Sequence, residues 1–464
     1  MSTLFRRALI CLALIAFLAP SSGRTSMNES RSRPSSSPLD RVARDYVDLV
    51  LGIGEHDANY VDAFYGPETW RDQVKAQKPD LATLASRADA AIALVMAVPA
   101  QAPGPAGSSP DPLPALRRDY LLHQLQSASA RIAMLRGKKF SFDAESRALY
   151  DAVAPTHDAA FFQTRLDRID AALRAIEPPG AAGGERPLRD RVEALRTRVT
   201  IPRDRIEAVF ARAIAECRSR TAARIPLPAG EKFTVEEVTD KPWSAYNWYK
   251  GNLTSVIQVN VSLPIWIDRA VDLACHEGYP GHHVYNLLLE QKLVRERGWP
   301  EFEVYPLFSP QSLIAEGTAN FGIEMAFPGD ERLAFERDVL FPLAGLDPAL
   351  AAPYRQVTAL VQELSYAGNE AARKYLDGEI DAAAAAQWIE RYGLSSPERA
   401  TQRVKFIETY RAYVINYNLG QDLVAAYVDR LSAGTAANEM SAKRWQIFTD
   451  LISSPRLPGA LVAP

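Results

Sequence analysis

Apolar residues recur at helical spacing along most of this 464-residue chain, and that period limits the fold more than any other feature. Residues 38–53, PLDRVARDYVDLVLGI, begin with a proline, which suits the first turn of a helix. Their apolar positions lie near one helical face: Val42, Tyr46, Val47, Leu49, Val50 and Ile53. The pattern returns in residues 80–98, 113–135 and 161–176 and again from Pro264 onward. The sequence therefore predicts a mainly α protein with a large, helical bundle-like architecture.

One stretch departs from the helical period. Residues 231–239, EKFTVEEVT, and residues 252–264, NLTSVIQVNVSLP, are rich in Val, Ile and Thr and are bounded by turn residues, as strands are. We expect a small β-sheet here, directly before a helix rich in histidine. Proline- and glycine-rich stretches at residues 99–114 and 177–187 indicate surface loops, because the composition is alike on both sides of each. Residues 38–464 are thus predicted to form a single domain.

The first residues have the pattern of a targeting segment. Arg6 and Arg7 precede the apolar run Ala8–Ala19, and small residues follow it. This predicts a secretory signal peptide over residues 1–23 and a polar, disordered spacer over residues 24–37. The alternative is a membrane anchor, but twelve apolar residues fall short of the roughly 20 that a spanning helix needs. We expect export to the periplasm or the extracellular space, with no stable membrane anchor after cleavage.

Charge and cysteine content narrow the possible partners. The formal charge of −3 becomes −5 without residues 1–23, which hold two arginines and no acid. This mild acidity, with no basic tract, argues against nucleic acid as a partner. Cys217 and Cys275 remain, and an exported protein could join them, although sequence alone does not bring their Cα atoms together. We expect Cys275 to be a small buried residue and not a metal ligand, and the oligomeric state stays open.

Residues 274–283, ACHEGYPGHH, hold three of the six histidines in the chain. Zinc hydrolases commonly carry H-E-x-x-H on one helix, with the two histidines one turn apart. Here Pro280 occupies the position four after His276, and the next histidines are His282 and His283. Adjacent residues of a helix diverge by about 100°, so His276 can face a metal while Glu277 faces a water beside it. The sequence predicts a zinc ligand at His276 and a general base at Glu277.

The second ligand requires a break in the helix. In a regular helix the residues six and seven after His276 would lie about 9 and 10.5 Å along the axis. Pro280 cannot continue such a helix, and Gly281 permits a close approach of backbones. We predict a kink that brings His282 or His283 to the metal, and we favour His282. The other histidine is expected to orient the substrate or a carboxylate next to the ligands.

A third ligand is expected from the apolar helical segment LIAEGTANFGIE, residues 313–324. Glu316 stands there among apolar residues, which is costly unless the carboxylate is paired or bound to metal. The alternative is a pairing of Glu316 with an arginine in the core. Glu324, two turns on, is either a supporting residue or an ordinary exposed acid. The predicted site holds one zinc ion on His276, on His282 or His283, and on Glu316.

These motifs, HEGYPGHH followed by AEGTANFG, resemble a large bacterial group known as domain of unknown function 885. The resemblance covers Asn252 to Gly420, with weaker similarity at DANYVDAFYGP (residues 57–67) and YVINYNLGQ (residues 413–421). It implies a mainly helical zinc-peptidase fold with an active-site cleft, and zinc on His276, His282 or His283, and Glu316. The chain departs from the group at Thr318, where relatives often carry an aromatic residue.

A peptidase also needs a hydrogen-bond donor for the developing oxyanion. In ETYRAYVINYNLG, residues 408–420, Tyr413 and Tyr417 share a helical face. We favour Tyr417 as this donor, the alternative being that both tyrosines only pack. The strand TSVIQVNV, residues 254–261, would either pair with an extended peptide through its edge or lie inside the sheet.

Together these features predict an exported zinc metallopeptidase whose substrate is a peptide or a small amide. One alternative is a metal-dependent amidase or esterase that acts on non-peptide or cell-wall fragments. Another is a binding protein that retains the metal without catalysis. The presence of Glu277 beside His276 argues against the last, because metal binding alone requires no base there.

Overall fold

A computed structural model describes residues 37–99, 111–177, 186–241 and 243–462. These residues are mainly helical with a small amount of strand, so the predicted mainly α class with a minor sheet is confirmed. Ser37–Pro464 belong to one compact unit. The predicted signal peptide, the spacer up to residue 36 and the central parts of the two predicted loops (residues 100–110 and 178–185) lie outside the described residues.

The α-helices of the described ranges are, in chain order, α1 (Pro38–Gly54), α2 (Glu68–Gln77), α3 (Leu81–Ala97), α4 (Leu113–Leu135), α5 (Phe142–Tyr150), α6 (Ala159–Ile176), α7 (Leu188–Thr197), α8 (Ile206–Ala222), α9 (Ile267–Leu273), α10 (His282–Leu289), α11 (Pro310–Ala326), α12 (Glu331–Phe335), α13 (Phe341–Ala344), α14 (Ala351–Gln362), α15 (Ala367–Leu376), α16 (Ala382–Gly393), α17 (Pro397–Tyr410), α18 (Ile415–Ser432), α19 (Ala437–Ile452) and α20 (Pro458–Val462). Three π-helical segments continue helices: Ala274–Gly278, Glu290–Arg295 and Glu336–Leu340. None of these helices is long and apolar enough to cross a membrane.

The first helix illustrates how local sequence sets the helical boundaries. The hydroxyl of Ser37 accepts a hydrogen bond from the backbone N–H of Asp40, and the Asp40 carboxylate accepts one from the N–H of Ser37. This reciprocal capping satisfies backbone donors that the first turn leaves free. All six apolar positions predicted on one face of residues 38–53 are buried. The predictions for residues 80–98, 113–135 and 161–176 are confirmed as α3, α4 and α6.

The strands form two small sheets: β1 (Val61–Phe64), β2 (Lys232–Val238), β3 (Ala245–Tyr249), β4 (Thr254–Asn260) and β5 (Val304–Pro306). The two predicted strands are β2 and β4, which pair in parallel. β3, which the sequence did not predict, pairs antiparallel with β4, so the order is β2-β4-β3. β4 is therefore the interior strand, and β2 and β3 form the two edges. The pairing of β1 with β5 was also not predicted.

The helices α11 and α18 approach each other closely through two glycines. A Cβ atom at Gly317 would lie 2.4 Å from the backbone of Gly420, and one at Gly420 would lie 2.7 Å from the Leu313 carbonyl oxygen. Any larger residue at either position would push the helices apart. Gly317, which follows Glu316, and Gly420, which follows Tyr417 by three residues, thus fix the distance between Glu316 on α11 and the tyrosines around the start of α18.

Cys217 on α8 and Cys275 in the first π-helical segment form a disulfide, with their Cα atoms 5.7 Å apart. Both side chains are fully buried. The expectation that Cys275 is a small buried residue is confirmed, and its sulfur is taken up by the disulfide. The bond ties the segment that carries His276 to a long helix of the core.

We expect the disulfide to contribute strongly to stability, because it closes a loop of 58 residues. Replacing both cysteines with alanine should lower the free energy of unfolding by about 2–4 kcal/mol, chiefly through the entropy of the unfolded chain. Denaturant titration of the parent with and without reductant, beside the double variant, measures this. The double variant should not respond to reductant, and an unchanged midpoint in the reduced parent would contradict the expectation.

Candidate metal centre

The chain breaks its helix between the histidines, as predicted. α9 runs into the π-helical segment Ala274–Gly278, and Tyr279 then adopts an extended conformation. The Tyr279 N–H donates to the Ala274 carbonyl at 3.2 Å, and the Gly281 N–H donates to the Cys275 carbonyl at 2.9 Å. These two bonds join residues five and six apart, so the chain makes a turn wider than that of an α-helix, and α10 begins directly at His282. The ring centroids of His276 and His282 lie 4.6 Å apart after this wide turn.

Three of the predicted ligands meet at one point. Nε2 of His276 lies 3.1 Å from Nε2 of His282 and 3.3 Å from Oε2 of Glu316. Nε2 of His282 lies 3.7 Å from the same carboxylate oxygen. Within the described residues, these side chains form the one group of His, Cys, Asp and Glu whose donor atoms could hold a metal ion.

The spacing of these atoms fits zinc. Donor atoms held about 2.0–2.2 Å from a tetrahedral zinc ion lie about 3.3–3.6 Å from one another, close to the separations found. Oε2 of Glu316 is buried and faces Nε2 of His276 at 3.3 Å and Nε2 of His282 at 3.7 Å. A buried carboxylate oxygen is costly unless a positive charge, such as a protonated imidazole or a metal ion, meets it. Two imidazoles and one carboxylate are also a common ligand set of hydrolytic zinc sites.

Neighbouring side chains hold the ligands in place. Nδ1 of His276 lies 2.9 Å from Oδ1 of Asn320, whose amide nitrogen donates to the Tyr417 carbonyl at 3.0 Å. The His276 Nδ1–H therefore donates to Asn320, and its Nε2 is left to face Glu316 and His282. The Tyr413 hydroxyl donates to Oε1 of Glu316 at 2.8 Å, so Oε2 is the oxygen that faces the two histidines. Such partners orient metal ligands and set their tautomer.

The protonation of these groups reflects the attraction between them. Burial opposes the charged form of His276, but its hydrogen bond to Glu316 and the charges of Glu277 and Glu316 raise its pKa to about 9. Burial also opposes ionisation of Glu316, yet hydrogen bonds from His276 and His282 hold its pKa well below its usual range. The carboxylate of Glu316 thus favours a positive charge at this position.

Glu277 lines the cleft beside this group. Its side chain is largely buried, and within the described residues no hydrogen bond or ion pair to its carboxylate is found. Its backbone carbonyl accepts a hydrogen bond of 2.7 Å from the Asn247 amide, which anchors the π-helical segment to β3. Glu277 is therefore held through its backbone while its carboxylate stays available to the cleft.

His283 is not brought to this group. Its ring is fully buried, with Nδ1 2.8 Å from the Ser255 hydroxyl and Nε2 3.0 Å from the Glu231 carboxylate. Burial opposes ionisation of Glu231, but hydrogen bonds from His283, Tyr279 and Arg218 lower its pKa to about 2. The order serine, histidine, carboxylate is that of a nucleophilic triad, yet Ser255 is fully buried, so no substrate reaches it. His283 ties α10 to the sheet.

The ligands open into a cleft with an empty volume of about 870 Å³, open solvent included. Tyr417 lies in its wall, and burial together with the charge of Glu316 raises the pKa of its hydroxyl, which remains a donor. Glu324 does not contribute, since its carboxylate is exposed and lies 3.3 Å from Arg444. The cleft is lined by Asp62, Ala63, Trp243, Ala245, Tyr246, Asn247, Tyr249, His276, Glu277, His282, Asn286, Tyr305, Leu307, Glu316, Phe406, Tyr410, Tyr413 and Tyr417.

Sequence reasoning missed several residues of the site. Asn320 stands four residues after Glu316 on an apolar helix, so its position on the same face was a usable signal. Asp62 lies within the weakly similar stretch at residues 57–67, but nothing in its own segment indicates a cleft. Tyr246 lies on the strand that was not predicted, and its hydroxyl donates to Asp62.

No known protein family and no curated protein matches the sequence. Among solved structures, the chain is similar to a protein from Colwellia psychrerythraea described as a lipoprotein, with a TM-score of 0.47 and 12% identity over 91% of this chain and 77% of the other. It is also similar to a protein described as a lipoprotein of unknown function from Shewanella oneidensis, with a TM-score of 0.45 and 11% identity over 90% and 88% of the two chains. Similarities at this level support no conclusion about function.

Proposed function

We propose that this protein is a zinc-dependent peptidase. The observation that carries the proposal is the convergence of His276, His282 and Glu316, whose Oε2 faces both imidazoles, beside the free carboxylate of Glu277. A site that only stored metal would need no unpaired base in the cleft.

Each residue has a distinct role in the proposed reaction. Zinc, when bound, supplies a Lewis acid that polarises the scissile carbonyl and lowers the pKa of a water. Glu277 accepts the proton of the attacking water and returns it to the leaving amine. Tyr417 donates to the oxygen that becomes negative, as its protonated hydroxyl in the cleft wall permits. Asn320 and Tyr413 keep His276 and Glu316 in position.

The edge of the three-stranded sheet that β3 forms supports a peptide as the substrate, in preference to an ester or a non-peptide amide. The Asn260 N–H donates to the Ser244 carbonyl and the Lys250 N–H to the Thr254 carbonyl. In an antiparallel pair alternate residues exchange such bonds, so the backbone groups of Ala245, Asn247 and Tyr249 point away from β4. All three residues line the cleft. An extended peptide can pair with this edge while one of its amide bonds lies beside Glu277.

A peptide-library digest with and without chelator tests the activity. Zinc-loaded protein should cleave peptide bonds, chelation should stop it, and zinc should restore it. Cleavage only of ester or cell-wall amide substrates would favour the alternative hydrolase. A zinc-loaded protein that cleaves nothing would contradict the proposed function.

Metal content gives a separate prediction. Elemental analysis should find about one zinc per chain, and alanine at His276, His282 or Glu316 should weaken zinc binding by more than about 100-fold, because each change removes a ligand. His283→Ala is the matched control, since its ring is one residue away but bonds to Glu231 and Ser255. It should cost stability and keep the zinc. No zinc in carefully prepared parent protein would contradict the metal site.

Export is part of the proposal. The disulfide between Cys217 and Cys275 supports an oxidising compartment, because such bonds persist outside the cytosol. The predicted signal peptide agrees with it.

A further inference from the structure

The cleft contains an aspartate that the proposed hydrolytic reaction does not use. Asp62 lies on β1 and lines the cleft, where one of its oxygens accepts a hydrogen bond from the Tyr246 hydroxyl. Within the described residues no second hydrogen bond and no ion pair to Asp62 is found. Burial and the charges of Glu316 and Glu277 raise the pKa of the Asp62 carboxyl to about 7, and a cation beside it would favour its charged form.

The charges lining the cleft are unbalanced. They comprise three carboxylates, from Asp62, Glu277 and Glu316, and no lysine or arginine among the described residues that line it. A divalent ion would offset Glu316 and Glu277, which leaves Asp62 without compensation. Arg403 does not supply it, because its guanidinium stacks over the Phe406 ring at 4.7 Å and does not line the cleft.

Aromatic rings line the same cleft as this acid. Tyr246, whose hydroxyl donates to Asp62, packs against Trp243 with ring centroids 5.6 Å apart. Phe406 packs against Tyr410 with ring centroids 4.6 Å apart. Burial raises the pKa of the Tyr410 hydroxyl and the charge of Asp62 adds to it, so this ring lies in the field of the carboxylate. Aromatic faces and a carboxylate in one cleft suit an ammonium group.

We infer that the cleft selects substrates that carry a cationic amino group, held by Asp62 and the aromatic rings around it. The inference rests on the proposed function and names its substrate class. The amino group is either the α-ammonium of a peptide that begins in the cleft or the side chain of a basic residue near the cleaved bond. A substrate carboxylate has no basic residue to meet it among those lining the cleft, which disfavours recognition of a free C-terminus.

The test measures binding, so that it does not depend on hydrolysis. Four versions of one apolar pentapeptide amide are titrated by calorimetry into zinc-treated Glu277→Gln protein. The first has a free N-terminus and the second is N-acetylated. The third and fourth are N-acetylated and carry lysine or the isosteric norleucine at one internal position. The first pair measures the α-ammonium and the second pair the side-chain ammonium.

In at least one of the two pairs, the peptide with the ammonium group should bind about 10- to 100-fold more tightly than its neutral counterpart, which is the range of a charge-assisted hydrogen bond. Adding Asp62→Asn should remove most of that preference, and Tyr246→Phe should reduce it. Glu68→Gln is the control, because it removes one exposed negative charge just after β1, outside the cleft, and the preference should persist.

Equal binding within both pairs, tighter binding of the neutral members, or no binding of any peptide would overturn the inference. So would a preference that survives Asp62→Asn. Failure of the parent to cleave any of the four peptides counts against the proposed function instead, since the binding ratio is read in a protein whose base is already removed.

Discussion

Glu277→Gln should reduce peptide hydrolysis by about 10²–10⁴-fold while the protein keeps its zinc, because the amide preserves shape but cannot accept the proton of the attacking water. The three ligand positions do not involve this side chain, and the Glu277 backbone carbonyl that bonds to Asn247 is unchanged by the substitution. The measurements are initial rates on a substrate found in the digest and zinc content of the same preparation.

Glu324→Gln is the matched control, since it makes the same chemical change on an exposed residue next to Arg444. Its rate should equal that of the parent. If Glu277→Gln loses zinc together with activity, Glu277 is a ligand and not the base. If it hydrolyses at the parental rate, Glu277 has no part in the reaction.

Gly281→Val should abolish tight zinc binding although position 281 contributes no ligand atom. A Cβ atom there would lie 1.9 Å from the His276 carbonyl oxygen and 2.4 Å from that of Cys275. Both are backbone atoms of the segment that carries His276, so they cannot move aside without moving that ligand. Overpacking of this kind costs at least about 1–3 kcal/mol, and relief of the clash would separate His276 from His282.

The comparison variant is Gly393→Val, because a Cβ atom at Gly393 meets nothing closer than 3.7 Å. Competition with a chromophoric chelator measures zinc affinity, and circular dichroism measures thermal stability. We expect Gly281→Val to lose at least about 100-fold in affinity, as displacement of a ligand does, and Gly393→Val to bind as the parent does. Parental affinity in Gly281→Val would contradict the role of the wide turn between the histidines.

The glycine contacts give physical meaning to motifs that looked conspicuous in the sequence. Gly281 permits the wide turn between the histidines, and Gly317 lets α11 touch α18 at Gly420. Gly322 faces the Pro280 ring, where a Cβ atom would lie 3.0 Å from Cγ. The segment around Glu316 thus packs closely against two elements: the helix break after His276, through Gly322, and the helix that carries Tyr417, through Gly317.

Local chemistry allowed the sequence to predict much of the site. Helical period and capping act over a few residues, so the long helices were predictable. Pro280 forbids a regular helix wherever it lies, which made the break between His276 and the later histidines predictable. An acid in an apolar helix is costly in any fold, and this identified Glu316 as a residue in need of a partner.

The choice between His282 and His283 could not be settled in this way. Both follow the break, and only the direction in which α10 leaves Gly281 decides which ring meets His276. The sheet helps to set that direction. Ser255 on β4 and Glu231 just before β2 bind the His283 ring, so this ring faces the sheet and not His276.

What the sequence by itself determined was the mainly α class, the position of the small sheet, the helix break and the pairing of a histidine with a candidate base. Only the tertiary structure decided which side chains meet. Asn320 reaches His276 across 44 residues, Tyr413 reaches Glu316 across 97, and Tyr246 reaches Asp62 across 184. The edge position of β3 and the joining of Cys217 to Cys275 are of the same kind. The physical reason is that propensity and period act within a few residues, whereas these contacts depend on how whole helices and strands pack.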